Sequence, residues 1–487
     1  MSPGARPEGT SPPGQRQEGA DPRRWKALTV CLVAGFMTLL DVSIVNVALP
    51  SISTGLHAPQ SDLEWVVSGY ALTFGLVLVP AGRFGDMRGR RNVFVFGVAL
   101  FTLASAAAGI TQSSTWLVIA RLVQGMAGGV INPQVSGLIQ QLFRGSERGR
   151  AFGLLGATIG VSTAIGPLLG GLLIHLGGEQ NGWRLVFYVN VPIGILAILL
   201  AYHYIPATSR KGRRRQSVDP VGVLLLAVGV VLVLLPFVEG QRWQGQGRWL
   251  LLVAGAVVIA GFLGWERWYG RRSDPIVNLS LFGRRSYAFG ALLMALYFAG
   301  FTSIFFILTL YLQEGLGYSP LQAGLASTSF AAGSAATSVL GGRTVIRFGR
   351  LMVAAGLVVV AVGLAATELA VQLVPGRYVA WAIALPLLFA GLGSGLVISP
   401  NQTLTLWEVP VAEAGTAGGV LQTGQRIGAA MGIAVIGSVF FTEVASSHGD
   451  YALAFRYALL VTIGSVLAAL AVALADVAAA RRAAARA

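Results

Sequence analysis

The sequence predicts an all-α polytopic membrane protein of 14 transmembrane helices, arranged as two six-helix pseudo-repeat halves plus a central two-helix hairpin. Three observations predict it. The 487 residues are 54% hydrophobic and only 11% charged, where a soluble protein carries about 25% charged residues. Apolar runs of about 20 residues, long enough to cross a hydrocarbon core of roughly 30 Å, alternate with short polar connectors. Two stretches of sequence also recur at a nearly constant offset.

Residues 1–26, rich in Pro, Gly, Arg and Glu, are expected to form a disordered cytoplasmic tail. The run after them is too long for a signal-peptide core and lacks a small-residue cleavage pattern, which predicts an uncleaved first helix. Apolar windows centre near residues 39, 74, 101, 127, 163, 195, 229, 258, 299, 333, 361, 391, 427 and 467. They divide the chain into an N-terminal six-helix half at 27–206, basic linkers with the extra hairpin at 207–285, a C-terminal six-helix half at 286–482 and a short cytoplasmic tail at 483–487.

With the N-terminus inside, the inner connectors hold 28 of the 35 Lys and Arg residues, whereas the outer ones hold Arg184, Arg242, Arg248, Arg377 and Arg456. The positive-inside rule therefore predicts a multi-pass protein of the cytoplasmic membrane with both termini in the cytoplasm. The formal charge of +15 is accounted for by loops facing the negative inner leaflet, which argues against a nucleic-acid partner.

Cys31, alone and inside the first run, excludes an intramolecular disulfide and a cysteine-built zinc site. His57, His175, His203 and His448 show no metal-ligand spacing, and no G-x-x-x-x-G-K-[ST] phosphate loop is present. No metal, no cofactor and no enzyme activity is expected.

The repeat is specific. Gly82-Arg83-Phe84-Gly85-Asp86-Met87-Arg88-Gly89-Arg90 resembles Gly342-Arg343-Thr344-Val345-Ile346-Arg347-Phe348-Gly349-Arg350 at an offset of 260. Glu147-x-Gly149-x-Ala151-x-Gly153-x-Leu155 recurs as Glu413-x-Gly415-x-Ala417-x-Gly419-x-Leu421 at an offset of 266. Two halves in the same orientation, related by an axis along the membrane normal, form a transporter plan with the substrate site between them.

Asp41 is the sharpest candidate. It lies about 21 Å along the first helix at 1.5 Å per residue, where an ionised carboxylate is costly. It shares a small, polar face with Ala34, Thr38 and Ala48, which is expected to line the cavity. An acid there can exchange a proton as the cavity opens to opposite sides; a structural Asp bonded to backbone or to a neighbouring Arg is the alternative. Arg121 opens a second stripe with Gln124, Gly125, Gly128 and Asn132, and Gln422, Arg426, Gly415, Gly419 and Ala430 make a comparable one in the thirteenth span.

A guanidinium cannot shed its proton cheaply, so both arginines need partners. Arg121 is expected to bias the Asp41 proton or else to serve as a hydrogen-bond hub. Thr38, Asn46, Gln124, Asn132, Gln422 and Arg426 are expected at the substrate cavity. In the loop Gly82–Arg91, the residues Gly82, Asp86, Gly89 and Arg90 are expected to form a latch that breaks when the halves rock, or to serve topology alone. Gly166, Pro167, Gly170 and Gly171 in the fifth span are expected to allow a bend and close helix contact. Glu64, Glu314, Glu368 and Glu443, near outer helix ends, carry no expected coupling role.

These residues resemble the major facilitator superfamily, specifically its fourteen-span drug:proton antiporters of the multidrug and antibiotic efflux type. Asp41-Val42-Ser43-Ile44-Val45-Asn46-Val47-Ala48-Leu49-Pro50 is similar to that family's first-helix motif. Gly82–Arg91 resembles motif A, Arg121-x-x-Gln124-Gly125 motif B, and the run ending Gly166-Pro167-x-x-Gly170-Gly171 the antiporter motif C. The resemblance implies proton and substrate coupling at Asp41, proton transfer at Arg121, gating at Asp86 and an antiport bend at the Gly/Pro run. Ser162 stands where motif C often has glycine, and Ile346 replaces the acid of motif A in the second half, which implies a latch on one half only.

The expected function is proton-coupled export of a small amphipathic drug or metabolite across the cytoplasmic membrane by alternating access. The expected partners are that substrate, protons and membrane lipids, with the protein a monomer. One clear mid-membrane acid and two arginines suggest a neutral, monocationic or acidic compound rather than a dication. The alternatives are a proton-coupled uptake symporter, disfavoured by the motif C resemblance, and a non-transporting membrane sensor, disfavoured by the want of a sizeable soluble domain.

Overall fold

The structure, a computed structural model, describes residues 22–207, 219–238, 247–273, 275–374, 376 and 378–484. Most of the expected N-terminal tail, all but one residue of the 207–218 linker, Arg242, Arg377 and the last three residues lie outside the described residues.

A chain this apolar satisfies its backbone polar groups within each segment, and the described residues contain helices and no strands. The first six helices are α1 (Arg24–Leu56), α2 (Gln60–Arg88), α3 (Arg90–Ile110), α4 (Ser114–Leu142), α5 (Gly145–Tyr188) and α6 (Asn190–Tyr204). The paired α7 (Pro220–Val238) and α8 (Gly247–Tyr269) and a single turn, α9 (Ser280–Gly283), follow. The last six are α10 (Arg285–Leu310), α11 (Pro320–Phe348), α12 (Arg350–Leu373), α13 (Val379–Thr405), α14 (Ala414–Ser446) and α15 (Tyr451–Ala484).

Twelve stretches of the described residues are long and apolar enough to cross a membrane. The other two long helices fall short for different reasons. The apolar part of α7, Pro220–Pro236, is short. In α11, Ser327, Thr328, Ser329, Ser334, Thr337 and Ser338 dilute the hydropathy; the helix packs against α5 and α13, and the hydroxyls of Ser327, Thr328, Ser329 and Thr337 donate to nearby backbone carbonyls.

The repeat is visible in the turns. Gly89 (φ 101°) joins α2 to α3, and Gly349 (φ 54°), 260 residues on, joins α11 to α12. A one-residue connection with positive φ suits glycine, which has no Cβ to clash. Helices α1–α6 pack among themselves, as do α10–α15, and the two groups meet along α5 with α11 and α2 with α14.

At those two seams the helices touch backbone to backbone. A Cβ on Gly82 would collide with the carbonyl of Gly415, and a Cβ on Gly342 with the carbonyl of Gly149. Gly82 and Gly342 are one repeat pair, Gly149 and Gly415 the other, so the same glycines build the interface twice. Helices α7 and α8 pack on each other, and α7 also packs against α2 and α14.

Candidate functional site

In α4, Gly125 and Gly129 let α2 approach so closely that a Cβ on either would strike the backbone of Tyr70 or Phe74. That approach puts the Tyr70 ring 4.2 Å from Cζ of Arg121. Arg121 is 1% exposed, and Asp41, Gln124 and Asn190 are fully buried.

Three side chains donate to the Asp41 carboxylate. Arg121 Nη1 reaches Oδ2 at 2.5 Å, Gln124 Nε2 reaches Oδ1 at 2.8 Å and Asn190 Nδ2 reaches Oδ1 at 3.0 Å. Arg121 also donates through Nε to the Val66 carbonyl (3.0 Å) and through Nη1 to Gln124 Oε1 (2.9 Å). Ser105 accepts from Gln124 and Asn190 and donates to the Phe187 carbonyl at 2.9 Å. The charges of Asp41 and Arg121 are thus compensated by each other and by neutral dipoles, the condition under which a buried ion pair is tolerated. A proton delivered to Asp41 would cancel one charge and leave the guanidinium uncompensated.

The site adjoins a cavity of about 60 Å³ lined by Val42, Asn46, Tyr70, Phe74, Arg121 and Arg426, with Val45, Val67 and Ala71 completing it. Arg426 reaches it from α14 and stacks its guanidinium 4.4 Å from the Phe74 ring centroid. Arg121 therefore has Asp41 on one side and the cavity on the other.

Ala34, Thr38, Asp41 and Ala48, the face expected to line a cavity, do not border this hollow. All four are buried, and they turn into the N-terminal bundle, where Asp41 finds its three donors. Among the residues expected at the substrate cavity, Asn46 and Arg426 line it. Thr38 is instead paired with Asn132 Nδ2 at 3.4 Å, Gln124 belongs to the Asp41 cluster, and Gln422 Nε2 reaches Ser136 across the seam at 3.3 Å.

At the end of the bundle that carries the α2–α3 turn, a clasp joins the two groups of helices. Asp86 accepts from the N–H groups of Gly415 (3.1 Å) and Thr416 (2.8 Å) and from the Thr416 hydroxyl (3.0 Å), so its carboxylate caps the positive N-terminus of α14. Arg90 Nη2 holds Asp86 at 2.7 Å and also donates to the carbonyl of Val411, just before α14. Nearby, Arg148 Nη1 donates to the Trp407 carbonyl at 3.4 Å. Ile346, at the position equivalent to Asp86, is half exposed.

Arg350, the repeat partner of Arg90, is held inside its own half. It donates to Asn401 Oδ1 and pairs with Asp476 of α15 at 2.7 Å, an acid that Arg285 also reaches at 3.0 Å. Arg90 bonds Gln141, 260 residues before Asn401, in the matching way.

Gly166 and Gly170 pack against α1 at Ser43 and Ile44, beside Asp41, and Pro167 faces Gly324 of α11. Gly171 meets open space. Helical dihedrals continue through this run, and the break in α5 comes at Gly178 (φ 77°, ψ 163°). Glycines that admit a neighbour need not bend the helix that carries them.

Asn190, Ser105 and Tyr70 escaped sequence reasoning. Asn190 alone gave a signal, an amide inside an otherwise apolar sixth span; a serine or a tyrosine there is ordinary. The buried acids Asp219, Glu266 and Asp476 were also missed, the first two because they lie near helix ends, where charge is usually solvated.

Two repeated helix groups that meet on glycine seams, with a charged clasp at one end and between them a mainly apolar cavity bordered by two arginines, define a secondary transporter rather than an enzyme. Residues 31–432 and 290–486 match the Major Facilitator Superfamily. The chain is 36% identical over 423 residues to the probable actinorhodin transporter of Streptomyces coelicolor, covering 86% of this chain and 73% of that protein. It is 31% identical to the tetracenomycin C resistance and export protein of Streptomyces glaucescens (88% and 78% covered) and 34% identical to the multidrug resistance protein Stp of Mycobacterium tuberculosis (83% and 73% covered).

The fold is similar to that of the proton:xylose symporter XylE, at a TM-score of 0.66 and 17% identity over 92% of this chain and 95% of that one. It is also similar to the human organic anion transporter MFSD10, at 0.68 and 16% over 93% and 100%. The chain belongs to the Major Facilitator Superfamily. Its transport is driven by an ion gradient and takes no cofactor.

Proposed function

We propose that this protein exports a small amphipathic compound from the cytoplasm in exchange for protons, with the Asp41–Arg121 pair as the coupling site. The single observation that carries the reading is that the buried ion pair borders the cavity through Arg121. Protonation of Asp41 leaves the guanidinium at the cavity wall without its counter-charge, which disfavours a cationic ligand there; deprotonation restores the neutral pair and the hold on the ligand. The relatives named as antibiotic transporters or resistance proteins favour export over uptake.

In this reading the protein is a monomer in the cytoplasmic membrane with both termini inside and fourteen spans, α7, α8 and α11 included. The N-terminal half is 27–206, the linkers and hairpin 207–285 and the C-terminal half 286–482. The clasp at Asp86 closes the cytoplasmic end, Ile346 leaves the equivalent seam without an acid, and Asn46 and Arg426 contact the substrate. The Gly166–Gly171 run serves as a close-packing seat for α1 and α11.

The experiment is pH-gradient-driven transport by the purified protein in liposomes, screened with tetracenomycin C, actinorhodin and chemically related compounds. Export reading predicts movement of at least one compound against its gradient, opposite to the proton. Movement with the proton would make the protein a symporter. No substrate-dependent proton flux with any compound would remove coupled transport from consideration.

A further inference from the structure

The hairpin α7–α8 holds two acids that the cycle above does not use. Asp219 precedes Pro220 and caps α7, its Oδ1 accepting from the Gly222 N–H at 2.9 Å, while its Oδ2 accepts from Trp265 Nε1 at 2.7 Å. Glu266, near the end of α8, accepts from the Val277 N–H at 3.2 Å through Oε2. The two residues are 1% and 2% exposed.

Their other oxygens converge on Gly222. A Cβ there would lie 2.6 Å from Asp219 Oδ2 and 2.6 Å from Glu266 Oε1, so the two oxygens are no farther apart than twice that distance. Oε1 of Glu266 has no hydrogen-bond partner among the described residues. A buried acceptor left bare in this way demands an account. The surroundings are apolar: Val79, Phe262, Ile276 and Val277 form the local core, and packing alone has no need of two acids.

The charged groups facing Glu266 are Asp219 from α7 and Arg83 from α2. Nε and Nη2 of Arg83 are inaccessible and likewise lack hydrogen-bond partners among the described residues. On the α14 side the nearest acid in the network is Glu413, the N-cap residue of that helix, which accepts from Asn278 Nδ2 at 3.1 Å. A single proton on the pair supplies what is missing. It gives Oε1 a proton to donate and removes one of two like charges.

We infer that the hairpin carries a second proton-binding site, made by Glu266 and Asp219, whose occupancy is read by the Asp86 clasp. Two paths connect them. Arg83 sits three residues before Asp86 on α2 and responds to the charge of the pair. Val277 and Asn278 link Glu266 to Glu413, at the N-terminus of α14 whose N–H groups hold Asp86. The hairpin thus touches both sides of the clasp. The inference goes beyond the Asp41 coupling site and rests on the proposed function only in taking the clasp to open during transport.

The test uses the full-length protein in liposomes with fluorophores at Ser146→Cys and Thr344→Cys, exposed positions near the ends of α5 and α11, the helices that meet at one seam. Their separation is followed against pH in wild type, Asp41→Asn, Glu266→Gln and Asp219→Asn backgrounds. The site predicts two titration steps in wild type, with E266Q deleting one, D41N deleting the other, and D219N shifting the midpoint of the hairpin step. An E266Q curve that superimposes on wild type overturns the hairpin site, whatever D41N does. Loss of a step in E266Q with D41N unchanged keeps the hairpin site and overturns the Asp41 reading instead. Should E266Q not yield folded protein, the D219N midpoint decides, and an unmoved midpoint overturns the proposal.

Discussion

Arg121 stands between Asp41 and the cavity: its Nη1 reaches the carboxylate at 2.5 Å, while the same side chain lines the hollow that Arg426 enters from α14. A proton on Asp41 leaves that guanidinium's charge bare beside the cavity, and a cationic ligand in the cavity disfavours the same proton, so the two compete. That competition is a physical form of antiport, because each occupant weakens the hold on the other.

Replacing Asp41 by Asn keeps the shape of the cluster and removes its exchangeable proton. Export driven by a pH gradient should fall to the level of empty liposomes, while unenergised exchange of substrate across the membrane survives. Membrane insertion and expression should match wild type, which is checked by fluorescence size-exclusion of a tagged protein.

Removing Arg121 should do more damage to the fold. Arg121→Ala strands a buried carboxylate, a change that costs about 3–5 kcal/mol when one partner of a buried pair is lost. Reversible unfolding in mixed micelles measures it. The double change D41N/R121Q should recover most of that stability and none of the coupled transport, since it removes both charges together.

The clasp predicts a change of access rather than of stability. Asp86→Ala deprives the N-terminus of α14 of its counter-charge, and Ser136, 1% exposed beneath it, should become reachable. A Ser136→Cys probe would react slowly with a membrane-impermeant maleimide in the wild-type background and several-fold faster with D86A. Equal rates would mean that Asp86 does not hold this end shut. Cys31, 1% exposed, should stay silent in both.

Glycines at the seams predict symmetric behaviour. Gly82→Val and Gly342→Val each force a side chain against a facing backbone carbonyl, an overpacking worth about 1–3 kcal/mol. Both should shift the S136C reaction toward the fast form, and the two effects should be similar in size. An effect confined to Gly82 would mean that the repeat does not divide the interface equally.

Asp476 predicts the contrary pattern. It binds Arg350 and Arg285 within the C-terminal group, so Asp476→Asn should lower unfolding stability, by somewhat less than a fully buried pair because Arg285 is 39% exposed, and leave the S136C rate unchanged. A faster rate would show that this triad also holds the seam.

Much of this was legible in the sequence, and the limits are physical. Asp41 and Arg121 stood out because a charge inside an apolar run needs a reason, and the offsets of 260 and 266 matched glycines that meet across the seams. A helical wheel, however, states which residues share a face and not which neighbour that face meets. So Asp41 was assigned to the cavity wall when its face turns toward Asn190 and Ser105. Neutral polar residues such as these give no signal until the fold gathers them. Hydroxyl side chains dilute the hydropathy of α11, and in α5 the dihedrals break at Gly178, beyond the proline.

The most direct measurement is proton release on substrate binding, followed in weakly buffered detergent with the compound that the transport screen identifies. Wild-type protein should release protons as the ligand enters, and D41N should bind the same compound and release none. Equal proton release from wild type and D41N would contradict the assignment of coupling to Asp41.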